Sequence, residues 1–596
     1  MQSARQFQSS NDRHLGALFF RRAAELGDRT FVKLQRGERF EEISWRDFGA
    51  RVRGAILGLY ALGLAKGDRV AILGENSVEW LCADMATLAG GFPNVVVSPS
   101  LSDNMLRKML DHSRCRAIFV EGDTGVGRLL NLLGQLPSLH HIIVWDGTAS
   151  GLPHTLTFSQ LLSLGAGQSE ERLGEIIESI HPHDLASIMY TSGSTGEPKG
   201  VMRTQENLLS NISNGGPIVL SRPEEVTVIV LSLNHLLGRF GFLKSAVTGR
   251  TTAVIEATEQ SVNMKVIEAL SPTAMTIVPR VMETMWNKIL DGGKNRQLWE
   301  RLETLDKDRV EHGSLSGTDA RQYDSLKSAL KERTKRALGG RIKYISYGGA
   351  PMRPRIAHFF QLIGIPLPGT YGSTECGGVT LSGIGDSKPG SLGRPFPNVE
   401  IRIAGDGEIL VRGPTVTPGY FENPQATSEV IDPDGWYHTG DLGRIDSDGC
   451  LYVVGRKKDV FYCSDGSNIY PGYIELLLEN DPLVRQAILV GDHRSFIAAL
   501  LVPERKKIAA ELTKQESQLT DDDISAALYA RLEQINSRLE EVERVRKLVV
   551  MQDEFPAEVR SVTVFQKIKI DRKAVEERYQ KEIKSIYRSR AEGERG

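Results

Sequence analysis

Short apolar runs alternate with helical patterns through the first 150 residues. The runs 68–74, 117–120 and 141–145 predict buried strands, because short apolar segments bounded by polar residues suit a strand that is enclosed on both faces. Residues 45–60 have a helical pattern, and Ser77 is placed to begin another helix. Alternating strands and helices predict a wound α/β sheet.

The middle and the end of the chain extend this pattern and then change it. The runs 226–233 and 341–347 predict two more buried strands. Between them, 285–340 is charged and predicts a solvated helical insertion. From 503 to about 587 the pattern is mostly helical, most clearly over 535–546. A smaller and more helical C-terminal part is therefore expected.

Length and charge limit the classes of protein. At 596 residues the chain is too long for one core, since a single core seldom grows past about 250–300 residues, so at least two domains are expected. The content of 40% hydrophobic and 25% charged residues is that of an ordinary globular protein. With 73 basic and 75 acidic residues, the net charge of −2 gives no electrostatic reason to expect nucleic acid or an anionic membrane as a partner.

The cysteines and the apolar segments indicate the compartment. The cysteines are odd in number, widely spaced and without a CxxC pair, which suits a reducing environment. Residues 1–10 lack the apolar core of a signal peptide, and no run of 18 apolar residues predicts a transmembrane segment. We therefore predict a cytoplasmic protein. Peripheral membrane contact and the choice between monomer and homodimer stay open.

The most informative stretch is Tyr190-Thr-Ser-Gly-Ser-Thr-Gly-Glu-Pro-Lys-Gly200. It follows an apolar run and precedes a helical pattern near Thr204, so the expected order is strand, loop, helix. Glycines let backbone N–H groups approach an anion, and Lys199 adds a positive charge, so the loop can hold a phosphate. A Walker loop is excluded, because Lys199 is followed by Gly200 and not by Ser or Thr. A flexible linker is the alternative, and the ordered Pro-Lys-Gly ending argues against it.

This stretch resembles the phosphate-binding signature of the adenylate-forming superfamily, which includes acyl- and aryl-CoA synthetases, peptide-synthetase adenylation domains and beetle luciferase. The resemblance runs from about residue 14 to 587 and is greatest to the long-chain fatty acyl-CoA synthetases. It implies an α/β fold with a large N-terminal adenylation domain of wound α/β sheets plus a distorted β-barrel, over 1–455. A small mobile α+β C-terminal domain is implied over 456–596.

The resemblance also implies an ATP site assembled from several motifs. Besides the glycine-rich stretch, the motifs are Gly348-Gly-Ala-Pro351 against adenine and Gly369-Thr-Tyr-Gly-Ser-Thr-Glu375, in which Tyr371 stacks on adenine and Thr374 contacts a phosphate. Asp441 suits ribose hydroxyls, because a carboxylate offers only acceptors. The implied ATP-binding residues are Thr191, Ser192, Gly193, Ser194, Thr195, Gly196, Lys199, Gly349, Ala350, Pro351, Tyr371, Gly372, Thr374, Asp441 and Arg456.

Three residues are implied in catalysis by the same resemblance. Glu375 is expected to hold Mg²⁺, with Thr191 as a second ligand, and one carboxylate is sufficient because Mg²⁺ also takes oxygens from the substrate phosphates. His235 borders the carboxylate and acyl pocket, although a histidine after a strand is also compatible with a structural role. Lys569 is the implied catalytic lysine. Lys567 stays an alternative, because 561–566 departs from the family pattern.

The C-terminal part would contribute a hinge and the CoA site. Lys458, in Gly455-Arg-Lys-Lys-Asp459, is the implied hinge about which the C-terminal domain rotates. Asp465, Gly466 and Ser467 match the loop that helps to bind CoA in the ligase members.

The implied reaction is activation of a carboxylic acid. A carboxylate is a poor electrophile, and transfer of AMP makes a mixed anhydride that a thiol can attack. We therefore expect an ATP-dependent fatty acid–CoA ligase for a medium- or long-chain acid, with ATP, Mg²⁺ and CoA as cofactors. An aryl-CoA ligase, a fatty acyl-AMP ligase that supplies a carrier protein, and a catalytically silent nucleotide-binding relative are the alternatives.

Overall fold

The computed structural model describes residues 14–37, 39–147, 153–192, 198–213, 224–255, 262–290, 293–383, 388–462, 468–494, 496–556, 560–562, 568–570 and 572–588. Within them the helices are α1 (Leu15–Leu26), α2 (Trp45–Ala61), α3 (Val78–Ala89), α4 (Asp103–Ser113), α5 (Gly122–Leu132), α6 (Phe158–Ala166), α7 (Glu170–Glu178), α8 (Gln205–Ser213), α9 (Leu236–Thr248), α10 (Met264–Leu270), α11 (Pro279–Leu290), α12 (Lys294–His312), α13 (Gly317–Ala337), α14 (Pro354–Leu362), α15 (Pro424–Val430), α16 (Pro471–Glu479), α17 (Arg505–Glu511), α18 (Asp521–Asn536), α19 (Arg572–Arg578) and α20 (Gln580–Arg588).

The strands are β1 (Thr30–Arg36), β2 (Arg39–Ser44), β3 (Val70–Leu73), β4 (Asn94–Val97), β5 (Ala117–Glu121), β6 (His141–Trp145), β7 (Thr155–Thr157), β8 (Leu185–Ser192), β9 (Pro198–Thr204), β10 (Val226–Ile229), β11 (Thr251–Val254), β12 (Ala274–Ile277), β13 (Tyr344–Gly348), β14 (Gly369–Thr370), β15 (Gly372–Ser373), β16 (Gly377–Gly378), β17 (Thr380–Leu381), β18 (Arg394–Pro395), β19 (Glu400–Ile403), β20 (Glu408–Arg412), β21 (Tyr437–Ile445), β22 (Leu451–Arg456), β23 (Phe461–Tyr462), β24 (Asn468–Ile469), β25 (Val484–Val490), β26 (Ile497–Pro503), β27 (Val545–Val550), β28 (Arg560–Val562) and β29 (Ile568–Ile570).

Two seven-stranded sheets form the body of the molecule. The first has the order β7-β6-β5-β3-β4-β8-β9, and the second has the order β14-β13-β12-β10-β11-β1-β2. Each sheet is parallel except for one antiparallel edge strand, β9 or β2. The central strands β3 and β4 are buried along their whole length, and β5 is buried up to its last residue, as apolar runs require when helices cover both faces. The predicted wound α/β architecture is confirmed.

Smaller sheets complete the fold. Strands β19 to β22 form an antiparallel sheet in chain order, and its buried residues Ile409, Val411 and Leu451 pack with Tyr371. After it, β25, β26 and β27 form a mixed three-stranded sheet that is covered by α16 and α18. The predicted small α+β C-terminal part is confirmed. Among the described helices, none combines the length and the apolar character needed to cross a bilayer.

Several local predictions are confirmed. Helix α2 matches the helix predicted over 45–60, and Ser77 caps α3 by accepting a hydrogen bond from the Trp80 N–H at 3.0 Å. The charged insertion is helical, as α11, α12 and α13, and its leucines Leu302 and Leu330 are buried in the core of the second sheet. The described cysteines are buried free thiols, namely Cys82, Cys115, Cys376 and Cys450, whereas Cys463 lies outside the described residues.

Two predicted elements are wrong in extent or type. The strand expected over 226–233 ends at Ile229, because the chain turns to begin α9 at Leu236. The helix expected over 535–546 is not formed: α18 ends at Asn536, and β27 begins at Val545. The reason is tertiary, since Val545 and the following residues pair in parallel with β26, and this pairing outweighs the helical spacing of the local sequence.

A buried polar cluster joins the two large sheets. Arg239 of α9 is fully buried, and its guanidinium donates to Asp84 Oδ2 at 3.0 Å, Ser187 Oγ at 2.9 Å and Asn94 Oδ1 at 3.1 Å. Asp84 and Asn94 are also bonded to each other, at 2.8 Å. Because a buried cation needs partners, this cluster fixes α9 of the second sheet against α3, β4 and β8 of the first.

Candidate active site

A cleft of about 3900 Å³ gathers most of the predicted site residues. Parallel strands β10, β12, β13 and β14 present their carboxyl ends at one edge of the second sheet, where ligands bind in wound α/β folds. The predicted residues that line the cleft are Thr191, His235, Gly349, Ala350, Pro351, Tyr371, Gly372, Thr374, Glu375, Asp441, Arg456 and Lys458. Segments far apart in the sequence therefore meet in one space.

The glycine-rich stretch connects the two strands of an antiparallel hairpin. Thr191 of β8 lies opposite Lys199 of β9, and α8 begins only at Gln205. The observed order is therefore strand, loop, strand, helix. The sequence did not predict the second strand, β9, which pairs with β8 along its length. Lys199 therefore lies on a strand rather than at a helix N-terminus. Gly193, Ser194, Thr195 and Gly196 lie outside the described residues, and only the backbone of Ser192 is described.

Tyr420 connects Lys199 to Glu375. The ammonium of Lys199 lies 5.1 Å from the centre of the Tyr420 ring, and the Tyr420 hydroxyl donates to Glu375 Oε1 at 3.1 Å. Burial raises the pKa of Tyr420, and Glu375 raises it further, so the hydroxyl stays protonated and can donate. Tyr420 therefore contacts both the lysine that is predicted to bind phosphate and the carboxylate that is predicted to bind the metal ion.

Arg203 is a site residue that the sequence reasoning missed. It is fully buried, and its Nη1 donates to the carbonyl oxygens of Glu375 at 3.1 Å and Thr415 at 2.8 Å, with Thr374 at 3.5 Å. Burial lowers its pKa to about 10. The guanidinium thus joins β9 to the loop that carries Glu375. One signal was present: Arg203 lies two residues after Val201, on the same buried face of the strand, where a charge needs partners.

Three residues predicted from separate motifs form one chain of contacts. The Tyr371 hydroxyl donates to Asp441 Oδ2 at 2.7 Å, and Arg456 Nε lies 2.6 Å from Asp441 Oδ1. Asp441 and Arg456 are direct partners across β21 and β22. Burial raises the pKa of Tyr371 well above its usual value, and Asp441 adds to the rise, so Tyr371 acts as a donor. Tyr371 and Asp441 are buried, whereas Arg456 is half exposed.

Two glycines at this edge are required by the backbone. Gly349, directly after β13, has a φ of +81°, which residues with side chains rarely adopt. Gly372 lies so close to the neighbouring strand that a Cβ would come within 1.9 Å of the Gly377 carbonyl oxygen. A side chain at either position would therefore disturb the backbone at this edge of the cleft.

His235 is positioned by the turn before α9. It precedes the first residue of that helix, and the neighbouring Asn234 accepts from Trp80 Nε1 and donates to the Gly74 carbonyl, both at 3.3 Å. His235 lines the cleft together with the apolar residues Leu237 and Phe240. This location is the predicted border between the nucleotide edge and an apolar pocket, while the chemical role of His235 stays a prediction.

The C-terminal residues are only partly described. Lys458 lies in a one-turn 3₁₀ helix after β22, and its neighbour Lys457 pairs with Asp406 at 2.6 Å and Glu408 at 3.0 Å. Lys569 lies on β29 opposite Ser561 of β28, but its side chain is not described. Lys567, Asp465, Gly466 and Ser467 lie outside the described residues. The roles of these residues stay predictions.

The fit of a divalent ion can be judged from the donor set. Within the described part of the chain, no cluster of three or more His, Cys, Asp or Glu could hold a metal by itself. Glu375 offers one carboxylate, and Thr191 one hydroxyl, to the lining of the cleft. Mg²⁺ typically takes one or two protein carboxylates and completes its shell with water and phosphate oxygens, so these residues fit that ion when a nucleotide is present.

Family models match both parts of the chain. An AMP-binding enzyme model matches residues 19–421, and an AMP-binding enzyme C-terminal domain model matches residues 458–591. The chain belongs to the AMP-binding enzyme family. The resemblance to adenylate-forming enzymes that the motifs implied is thereby confirmed.

Relatives of this AMP-binding enzyme match nearly its whole length. A long-chain-fatty-acid–CoA ligase, FadD15 of Mycobacterium tuberculosis, is 32% identical over 569 residues, which cover 92% of each chain. The human long-chain-fatty-acid–CoA ligase ACSBG1 is 30% identical over 508 residues, covering 81% of this chain and 70% of the relative.

Solved structures share the fold. The A domain of a carboxylic acid reductase from Segniliparus rugosus, in complex with AMP and a carboxylic acid, has a TM-score of 0.72 at 20% identity and covers 99% of this chain and 96% of its own. The anthranilate CoA ligase AuaEII, in complex with anthranoyl-AMP, has a TM-score of 0.70 at 18% identity, with 93% and 95% covered.

Proposed function

We propose that this AMP-binding enzyme is an ATP-dependent fatty acid–CoA ligase. It forms an acyl-adenylate with release of pyrophosphate and then transfers the acyl group to the thiol of CoA. The observation that carries the proposal is the convergence of Thr191, His235, Tyr371, Glu375 and Asp441 on one cleft. The names of the relatives in Mycobacterium tuberculosis and in humans, both long-chain-fatty-acid–CoA ligases, support the choice of acid and of acceptor.

In the first half-reaction the protein acts by positioning and by charge. Tyr371 and the loop Gly349–Pro351 receive adenine, Asp441 receives the ribose hydroxyls, and Lys199 with the glycine-rich loop holds the phosphates. Glu375 and Thr191 would hold Mg²⁺, which neutralises phosphate charge when bound. Lys569 is proposed to stabilise the charge that develops between the carboxylate and the α-phosphate. Such interactions supply most of the catalysis in phosphoryl-group chemistry, so no nucleophilic side chain is needed.

The second half-reaction needs a different face of the C-terminal domain. We place the domain boundary between 455 and 456, and the gap between the two family matches, at 421–458, supports a boundary in this region. Rotation about Lys458 would withdraw Lys569 and bring Asp465, Gly466 and Ser467 to the cleft for CoA. Lys457, anchored by two carboxylates of the N-terminal domain, would stay in place during this rotation.

We also propose a cytoplasmic location, in accord with a reducing environment for the buried free thiols.

Pyrophosphate release with ATP, Mg²⁺ and a panel of fatty and aryl acids, with and without CoA, tests the proposal. A fatty acid–CoA ligase releases pyrophosphate and forms the thioester. A fatty acyl-AMP ligase releases pyrophosphate and retains the adenylate when CoA is the only acceptor, and an aryl-CoA ligase responds to aryl acids alone. If no acid stimulates release, the proposal is wrong.

A further inference from the structure

The cleft extends past His235 along α9 and the strands of the second sheet, and polar residues line its far end. We call this end the far pocket. Its lining residues are Thr227, Lys244, Ser245, Arg250, Ala274 and Tyr344. Thr227, Ala274 and Tyr344 are direct neighbours across β10, β12 and β13, at the amino ends of these strands. The far pocket therefore lies at the opposite end of the sheet from Tyr371 and Glu375.

Helix α9 connects the two ends. It begins after His235 and packs against β10 and β12. Lys244 comes nine residues after His235, which is about 13 Å along the helix axis at 1.5 Å per residue. The helix side of the wall between them is apolar, formed by Leu237, Phe240 and Gly241. The strand side carries Thr276 and Ser346, whose hydroxyls are hydrogen-bonded to each other at 3.0 Å. An acid whose carboxylate lies at His235 would thus extend along the apolar face of α9 toward Lys244.

Three cations, Lys244, Arg250 and Lys343, lie at or beside the far pocket. The Arg250 guanidinium lies 3.1 Å from Glu225 Oε2 and donates to the Tyr344 hydroxyl at 3.0 Å, and Lys343 lies 2.6 Å from Glu225 Oε1. Glu225 already has these two cationic partners. Among the described residues, the Lys244 ammonium forms no hydrogen bond and no ion pair. Of the cations at this end, Lys244 is therefore the one that lines the cavity without a counterion in the described part of the chain.

A second polar group at this end also lacks a partner. Thr227 is 5% exposed, and its hydroxyl oxygen has no hydrogen-bond partner among the described residues. Burying a hydroxyl without a hydrogen bond is unfavourable, because the hydroxyl loses its bonds to water without replacing them. An apolar chain end would leave both Thr227 and Lys244 unsatisfied, whereas an anionic group would satisfy them together.

The titration of Lys244 agrees with this geometry. Burial lowers its pKa to about 7, Arg250 acts in the same direction, and Glu225 opposes them. An anion that binds beside the ammonium would favour the charged form, so binding at pH 8 should take up a proton.

We propose that the preferred acid is an α,ω-dicarboxylic acid of medium length, whose second carboxylate binds Lys244 and accepts a hydrogen bond from Thr227. This inference deepens the proposed ligase function and rests on it. A C–C bond of about 1.5 Å advances an extended chain by roughly 1.25 Å, so about ten carbons span the distance from His235 to Lys244. The carboxylate at His235 is the one that is activated.

The test compares matched acids with and without the second carboxylate. Pyrophosphate release is measured for decanoate and decanedioate, and for the pairs of about eight and twelve carbons, with the wild type and with Lys244→Met, which keeps the length of the side chain and removes the charge. We expect the wild type to favour the dicarboxylate, and we expect Lys244→Met to lower kcat/KM for it by roughly 10- to 100-fold while decanoate is used as well as before. Thr227→Val should act in the same direction by a few-fold.

The matched control is Lys265→Met, since Lys265 is an exposed lysine of α10 that does not line the cleft. It should leave both acids unaffected. Thermal unfolding of each variant shows that the fold is retained. If the wild type uses decanoate at least as well as decanedioate and Lys244→Met changes neither, the inference is wrong while the ligase proposal stands.

Calorimetry separates the two proposals further. Decanedioate is titrated into wild type and Lys244→Met at pH 8 in two buffers of different ionisation enthalpy. Proton uptake by the wild type and its loss in the variant support the far-pocket contact, even if no acid is activated and the ligase proposal fails. Equal binding without proton uptake in both proteins overturns the inference.

Discussion

The hydroxyl of Tyr371 donates a hydrogen bond to Asp441 at 2.7 Å, so the residue predicted to stack on adenine also orients the residue predicted to bind ribose. Tyr371→Phe keeps the ring and removes this donor. Because a hydrogen bond to a charged group contributes about 1.5–3 kcal/mol, we expect KM for ATP to rise roughly tenfold with little change in kcat. Pyrophosphate release at varied ATP measures both. Tyr529→Phe, at an exposed tyrosine of α18, is the control. An unchanged KM would contradict this prediction.

Glu375→Gln should reduce adenylation by about a hundredfold or more. The amide keeps an oxygen that can accept from Tyr420, but it loses the charge that a hard divalent ion prefers. Single-turnover formation of acyl-adenylate at increasing Mg²⁺ measures the effect, and the variant should need more Mg²⁺ for half-maximal rate. Glu400→Gln, at an exposed carboxylate of β19 that pairs with Arg412, should behave as the wild type. Equal Mg²⁺ dependence in the wild type and Glu375→Gln would remove Glu375 as the ligand.

Lys569→Met and Lys567→Met form a matched pair that identifies the catalytic lysine. We expect Lys569→Met to lower acyl-adenylate formation by about a hundredfold, because a cation at the developing charge is lost. Thioester formation from added acyl-adenylate should be retained, since Lys569 is withdrawn in that step. Lys567→Met should leave both half-reactions nearly unchanged. The reverse result would assign the role to Lys567.

Arg239→Met should destabilise the protein by about 3–5 kcal/mol, because it leaves the carboxylate of Asp84 buried without its cation. The double variant Arg239→Met/Asp84→Leu should recover part of the loss. Urea unfolding followed by tryptophan fluorescence measures these differences. Arg301→Met removes an exposed ion pair with Asp319 and should cost less than about 1 kcal/mol. Equal effects of Arg239→Met and Arg301→Met would show that the buried cluster is not a main contact between the sheets.

His14 should make the free energy of unfolding depend on pH. It is buried, and its Nε2 bonds the Ile177 carbonyl at 3.0 Å, and burial lowers its pKa from 6.5 to about 4. The folded state therefore binds fewer protons than the unfolded state between these values. The full contribution is present above pH 6.5 and is lost as pH falls, by about 3 kcal/mol near pH 4. Unfolding free energies at pH 7.5 and 5 should differ less for His14→Gln than for the wild type. His312→Gln, at an exposed histidine, should retain the wild-type difference.

The sequence was sufficient where local pattern and final environment agree. Apolar runs predict the buried strands β3, β5 and β6, and helical spacing predicts helix α2. These predictions hold because neighbouring elements cover the apolar side chains of each segment. The strand β27 could not be predicted in this way. Its residues follow a charged helical pattern, and only pairing with β26, more than 40 residues earlier in the chain, makes them extended.

The residues of the site likewise divide into those that the sequence predicts and those that only the folded structure shows. Tyr371, Glu375 and Asp441 could be named because their motifs have specific types and spacings. Arg203 and Lys244 belong to no such motif, since one binds backbone carbonyls and the other lines a cavity. Residues of this kind become visible only when the sheets are assembled, and they determine how the motif residues are held and which acid fits.

Arg203 links segments of the ATP site that lie entirely within the N-terminal part of the enzyme. Its contacts set the spacing between the strand after the glycine-rich loop and the carbonyls around Glu375, all within the match to the first family model. The loop that carries Glu375 is thus held without any atom of the C-terminal part. Exchanging that part for the one of a relative should therefore alter the acceptor and the pace of turnover, while nucleotide affinity should change only through the contact predicted for Arg456.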